Sequence, residues 1–188
     1  MDIKHYSVLK DEVIDKMNIN PEGIYVDATL GLGGHSEAIA EKLTTGKLIA
    51  FDQDDIAIER AKERLSKFNN IEFVRSNFAN LKQELNKLGI EKIDGILYDL
   101  GTSFYQLTDE SRGFTYHGDA TLDMRMDMTQ ELDAKIVLNE YPESELARVF
   151  KDYGEESRAK QLAAKIVDYR QEQKITTNVQ LNEIIKMV

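Results

Sequence analysis

Three acidic residues and one run of glycines carry the chemistry legible in this chain. Asp27 leads, through Ala-Thr-Leu, into Gly31-Leu-Gly33-Gly34-His35-Ser36. A strand running into a Gly-rich turn and a helix lets a ligand come close to the backbone and meet its N–H groups. Asp52 follows the glycines by about 20 residues, where a nucleoside-binding sheet places an acid for the two ribose hydroxyls. Asp99 opens Asp-Leu-Gly-Thr-Ser at the end of a strand-like run. A carboxylate there can accept the N–H bonds of an exocyclic amine and orient its lone pair. Each feature also has a plainer explanation. Glycines serve tight turns, Asp99 can cap the turn after it, and Asp52 can cap a helix, although Asp54 and Asp55 are at hand for that.

The ligand class follows from what surrounds the glycines. A dinucleotide site wants Gly-x-Gly-x-x-Gly beneath its pyrophosphate. Here Ser36 stands at the third position and Asp27 precedes the loop. A carboxylate beside two phosphates repels them, but it suits a cofactor bearing an ammonium, which favours S-adenosylmethionine over NAD. Methyl transfer from it is an in-line displacement, so the protein's main task is to position the nucleophile. Phe78, in Ser76-Asn-Phe78, either borders the adenine or is plain helix core. His5, His35 and His117 show no ligand spacing, so no metal is expected.

From Asp99 to Asp127 the chain has little regular pattern and many aromatics. Connectors this long are usually functional loops or disordered, and the aromatic content disfavours disorder. Phe104, Tyr105, Phe114 and Tyr116 could stack on an unpaired base, with Arg112 and Arg125 on phosphate. Equally, the aromatics could fasten the loop to helices, and Leu122-Asp-Met-Arg-Met-Asp could be a packed turn with an internal Arg125–carboxylate pair.

The elements that must position these residues alternate. The patterns predict helices from Val8 to about Met17 (capped by Ser7), Ser36 to Leu43, Asp54 or Asp55 to about Phe68, and Phe78 to Leu88. They predict strands over Ile24–Ala28, Lys47–Phe51, Ile71–Val74 and Ile93–Tyr98. Such alternation means an α/β fold with a parallel sheet and right-handed crossovers. After Asp127 only helices are predicted: about Gln130 to Leu138, Ser144 to Tyr153, Glu156 to Gln171, and from Val179 onward, started by Thr177 or Asn178. The expected division is 1–101 for the cofactor-binding part, 102–128 for an active-site and substrate loop, and 129–188 for a helical insertion. Four strands with no returning strand leave an open edge, so a chain lacking a C-terminal portion is expected.

The 188 residues include no Cys, which excludes a disulfide framework, a thiolate metal site and a Cys nucleophile and suits a reducing cytosol. No apolar run approaches the roughly 20 residues of a membrane span, and the first residues lack a signal-peptide pattern. A cytoplasmic protein is expected. Net charge is −10, shared by both halves. That argues against tight non-specific nucleic-acid binding without excluding a local basic groove.

These motifs in this order, from His5-Tyr-Ser-Val-Leu through the Gly loop, Asp99-Leu-Gly-Thr-Ser, Arg112-Gly-Phe, Leu122-Asp-Met-Arg-Met-Asp and Tyr153-Gly-Glu-Glu to Ile166-Val, resemble a known family. It is the H-type bacterial 16S rRNA (cytosine-N4)-methyltransferases, and the match covers almost the whole chain. The resemblance implies a class I methyltransferase fold (Rossmann-like) with an inserted helical subdomain. It implies S-adenosylmethionine contacts at Gly33, Gly34, His35, Asp52, Phe78, Asp99 and Gln106. Asp99 is the expected catalytic residue, and Arg112, Phe114, Asp123 and Arg125 are the expected substrate contacts. The implied partner is 16S rRNA in the small ribosomal subunit, and a homodimer is left open. The chain departs from the family at Thr102-Ser103-Phe104, where Val-Ser-Ser is usual. Family members also continue beyond this length with further strands, which could supply basic surface. Two other outcomes stay open: a methyltransferase of another substrate, and a truncated chain that binds cofactor without turnover.

Overall fold

A computed structural model describes residues 7–188, so His5 of the opening motif lies outside the described residues. The chain divides into two compact units, Met1–Ser103 and Phe104–Val188.

The first unit alternates as its pattern predicts. Helix α1 (Lys10–Met17) precedes strand β1 (Ile24–Asp27), α2 (Gly34–Ala40), β2 (Lys47–Asp52), α3 (Asp55–Arg64) and β3 (Ile71–Arg75). A 3-10 turn (Phe78–Asn80) then runs into α4 (Leu81–Lys87), and β4 (Gly95–Leu97) follows. The four strands are parallel, in the order β3-β2-β1-β4. This is a Rossmann-like α/β sheet, with β4 at one edge. Asp27 pairs in register with Ala50 of β2 and Leu97 of β4. The carboxyl ends of β1, β2 and β4 therefore share one side of the sheet, where open α/β sheets bind ligands.

Both faces of the sheet are covered, so β2 reads as continuous apolar sequence. Tyr25 and Leu48 pack with Ile39, Ala40 and Leu43. Val26, Ile49 and Phe51 pack with Leu85 on the opposite face. Ala50 packs with Ile58, Ala61 and Leu65 of the α3 segment. Burying a side chain such as Phe51 contributes about 2 kcal/mol, which makes β2 the rigid centre from which the loops depart.

Several boundaries differ from expectation, each for a local reason. Helix α1 begins at Lys10, and its cap residue is Leu9 in a left-handed conformation with no side-chain cap. Ser7 is thus not the cap, and Val8 and Leu9 are exposed rather than part of a helix face. Helix α3 ends at Arg64, earlier than expected, while its N-cap is Asp54, which accepts from the Ile56 N–H. Strand β4 begins only at Gly95, because the Asp94 carboxylate accepts the Ile24 N–H at 2.7 Å in place of a strand partner. The helix expected from Phe78 splits, with Asn77 capping the 3-10 turn.

The second unit is helical. It holds α5 (Phe104–Thr108), a 3-10 turn (Glu110–Arg112), α6 (Ala134–Glu140), α7 (Glu143–Asp152), α8 (Ala159–Glu172) and α9 (Asn178–Lys186). Leu122, Leu138, Leu146, Leu162, Ala163, Ile166, Ile175 and Ile184 form one core. Helix α6 starts later than expected because Asp133 caps it, accepting from the Ile136 N–H. Helix α9 opens on a capping box between Thr177 and Gln180, as the Thr177 position suggests. The irregular segment is thus partly structured: it contains α5, a 3-10 turn and a β-bridge between Thr121 and Thr177.

Candidate functional site

Within the first unit the structure brings Asp27, the Gly31–His35 loop, Asp52 and Asp99 to the carboxyl ends of adjacent strands. Asp27 is 1% exposed. Its Oδ2 accepts from the Ser36 hydroxyl at 2.7 Å and its Oδ1 from the Thr29 N–H at 3.1 Å. Burial pushes its carboxyl above the usual carboxylate range, against those two bonds and the neighbouring His35. The role expected for it, facing a cofactor ammonium, is not what this geometry shows: Asp27 fastens the β1 turn from within.

Asp52 is the more available acid. Its Oδ2 accepts the Gly31 N–H at 2.8 Å and its Oδ1 the Asp54 N–H at 3.0 Å. Half-buried, its carboxyl is also pushed up, chiefly by burial. Each carboxylate oxygen can take two donors, so Asp52 holds the Gly loop and keeps acceptor capacity for a diol. The residues present therefore fit a nucleoside. In the turns beyond, Asn77 donates to the Gln53 side chain at 2.8 Å, tying the end of β2 to the end of β3. Phe78 is not helix core. It is exposed and meets Tyr98 edge-on, with centroids 5.6 Å apart.

The glycines have specific neighbours. Gly33 adopts φ +79, and a Cβ there would stand 3.0 Å from Leu65 Cδ1. A Cβ on Gly34 would collide with the Ser7 hydroxyl, so it is the chain's own N-terminal segment that approaches Gly34. The same segment reaches His35, which is 5% exposed. Its Nε2 donates to the Val8 carbonyl at 2.9 Å, and its Nδ1 lies 3.6 Å from Asp99 Oδ2. The Asp99 side chain is 42% exposed, and its backbone N–H donates to Thr29 Oγ1 at 2.7 Å. Sequence reasoning passed over Thr29, Tyr98 and Val8. Thr29 lies two residues after an Asp in an Asx-type turn and Tyr98 directly precedes Asp99, so both were findable; the Val8 carbonyl left no signal.

The charged residues of the second unit are arranged differently. Arg112 is 2% exposed and donates to the carbonyls of Arg125 and Met126 at 2.9 and 3.2 Å. Arg125 closes on Asp123 through Nε and one terminal nitrogen, at 2.9 and 2.7 Å. Its other terminal nitrogen donates to the carbonyls of Met128 and Gln130. The Arg125 guanidinium holds the Asp123 carboxyl below the usual range. This is the packed turn with an internal Arg125–carboxylate pair, not two arginines held open for phosphate. Gln106 is buried, Phe114 half-buried, and Tyr116 exposed. Buried Asn178 accepts from the Ala120 N–H and donates to the carbonyls of Thr115 and His117, pinning the segment between them. Among the described residues no His, Asp and Glu cluster could hold a metal ion.

Ribosomal RNA small subunit methyltransferase H 2 of Agathobacter rectalis is 53% identical, over 99% of this chain and 60% of its own length. Ribosomal RNA small subunit methyltransferase H of Lachnospira eligens is 54% identical with the same coverage. The chain thus spans about 60% of the length of these curated relatives. Among solved structures, an rRNA methylase from Streptococcus thermophilus superposes with a TM-score of 0.42 at 27% identity, over 54% of this chain and 58% of that one. The sequence profile of the MraW methylase family matches residues 2–188, and the chain belongs to that family.

Proposed function

We propose that this chain serves S-adenosylmethionine-dependent methyl transfer to the N4 of a cytosine in 16S rRNA of the small ribosomal subunit, in the cytoplasm. The observation that carries it is the alignment of Asp52, the Gly31–His35 loop and Asp99 at the carboxyl ends of adjacent parallel strands. Relatives named for small-subunit rRNA methylation support the substrate. Among the described residues no helix is long and apolar enough to cross a membrane.

In this reading S-adenosylmethionine, when bound, supplies an electrophilic methyl on a sulfonium. Asp52 would hold its ribose and Phe78 would border the adenine, while for Gly33, Gly34 and His35 beneath it the family pattern alone speaks. Asp99, with an exposed carboxylate and a backbone fixed by Thr29, accepts the N–H bonds of the cytosine amine and aims its lone pair. For Gln106 as a cofactor contact, and for Phe114 at the substrate, the family pattern alone speaks. Arg112, Asp123 and Arg125 would shape the substrate segment rather than touch phosphate.

Transfer of labelled methyl to small ribosomal subunits lacking this modification tests the proposal. Incorporation into 16S rRNA at a single cytosine is expected; no transfer, with S-adenosylhomocysteine still bound in calorimetry, would favour a cofactor-binding chain without turnover.

A further inference from the structure

We infer that His35 is the proton acceptor behind Asp99, taking at Nδ1 the proton that Asp99 removes from the substrate amine. The inference rests on the role proposed for Asp99. Its basis is the pairing of each imidazole nitrogen. A carbonyl oxygen can only accept, so the bond to Val8 requires that Nε2 carry a hydrogen. In the neutral ring Nδ1 is then a bare lone pair, and it faces Asp99 Oδ2 at 3.6 Å. Two acceptors this close can share one proton. The gap is longer than a hydrogen bond, which needs an N···O distance of about 2.9 Å. The half-exposed Asp99 carboxylate is the partner with room to move, and catalytic contacts tighten on substrate binding.

Two carboxylates near the ring favour its positive form, against the N-terminus of α2 on which His35 sits. His35 is shielded from water on the inner side of the loop, with Asp99 on one side and buried Asp27 close enough for a positive His35 to favour its ionised form. Asp52 acts on Asp27 in turn. The next acid on α2, Glu37, is committed to Arg64 and Lys67. The first turn of α1, which follows Val8, carries Lys10, Asp11 and Glu12.

The step balances. The amine nitrogen forms its bond to the methyl carbon as the carbon–sulfur bond breaks, and the sulfonium sulfur keeps that electron pair. The amine, now positively charged, gives one proton to the Asp99 carboxylate. Asp99 passes it to Nδ1, which restores the carboxylate and leaves an imidazolium, and water takes the proton after product release. His35 acts through Asp99 and touches the base at no point, so it is a positioning and proton-holding residue.

Two measurements test this. In the free protein, nitrogen-15 spectra of the imidazoles should show His35 with a pyrrole-type Nε2 and a pyridine-type Nδ1 when neutral, its signal identified by loss in His35→Gln. The opposite tautomer overturns the relay without any need for an active enzyme. In methylation of small ribosomal subunits, His35→Gln can still donate to Val8 but offers no base. It should lower kcat by about 100-fold and flatten the acid limb of the kcat–pH profile, while S-adenosylhomocysteine affinity falls far less. Equal losses in kcat and affinity would reduce His35 to a cofactor-lining residue and overturn the relay. An active His35→Gln beside an inactive Asp99→Asn would overturn the relay and leave the Asp99 role standing. If the wild type itself methylates nothing, the proposed function fails instead.

Discussion

The two units use charged residues in opposite ways. In the first, Asp52 and Asp99 each hold something in place and keep acceptor capacity: Asp52 fastens the Gly loop, and Asp99 is fixed through its backbone while its carboxylate stays half in water. In the second, Arg112, Asp123 and Arg125 spend their donors and acceptors on their own segment. Charged residues at fixed spacing look alike in sequence. What separates a site from a framework is how much hydrogen-bonding capacity remains after folding.

The sharpest way to break this contrast is Arg112→Ala. Deleting a buried guanidinium leaves a cavity and takes the donors from two half-buried carbonyls, and the second unit should lose about 3 kcal/mol in urea unfolding. Arg112→Lys should lose nearly as much, because an ammonium cannot reproduce the planar fork. A variant that stays fully stable but no longer binds small ribosomal subunits would return Arg112 to the substrate surface and erase the distinction.

Asp99→Asn should do the reverse. With the carboxylate exposed, stability should move by less than about 0.5 kcal/mol, while methylation should fall by about 100-fold or more. An Asn that retains the full rate would refute the role given to Asp99 and, with it, the idea that spare acceptor capacity marks chemistry here.

The sheet was legible in the sequence for the same reason that β2 is: strands buried on both faces are continuous apolar runs, and the acids that end them stand out. Asp27 was legible as a residue but not as a role. Its burial, and its bonds to Ser36 and Thr29, depend on how tightly the turn folds back, which spacing does not encode. The Leu122-Asp-Met-Arg-Met-Asp segment supported two readings because whether Arg125 points at Asp123 or at solvent is a tertiary outcome. The His35–Val8 bond was invisible, since its acceptor is a backbone carbonyl and every residue has one.

The buried acids of the first unit and the paired acids of the second should also respond to pH with opposite sign. In the first, burial raises the carboxyls of Asp27 and Asp52 above their unfolded range of about 3.9; Glu37, which Lys67 and Arg64 hold down against its partial burial, is the exception and behaves like the acids of the second unit. A raised acid stabilises the fold below the unfolded value, and that contribution is lost as pH rises through the folded one. In the second, Asp123 is held down by Arg125 and Asp109 by the Ser111 hydroxyl. Their contribution is present above about 3.9 and lost as pH falls through the depressed folded values. Hydrogen exchange resolved by residue should therefore show the second unit loosening first on acidification. If β1 and β2 lose protection before α6 and α8, the opposition does not hold.

The smallest effect expected is at Thr29, and it separates backbone placement from side-chain chemistry. Thr29 Oγ1 takes the Asp99 N–H at 2.7 Å, but Asp99 is exposed, so water can replace the hydroxyl at little cost. Thr29→Val keeps the shape and removes the acceptor; its stability should stay within about 0.5 kcal/mol of wild type. The carboxylate proposed to meet the amine would then be held by the turn alone. Because small misplacements of a catalytic group slow a reaction far more than they destabilise a fold, kcat should fall several-fold while KM and S-adenosylhomocysteine affinity hold. An unchanged kcat would mean that the loop positions Asp99 without Thr29, and that only its carboxylate, not its anchoring, belongs to the chemistry.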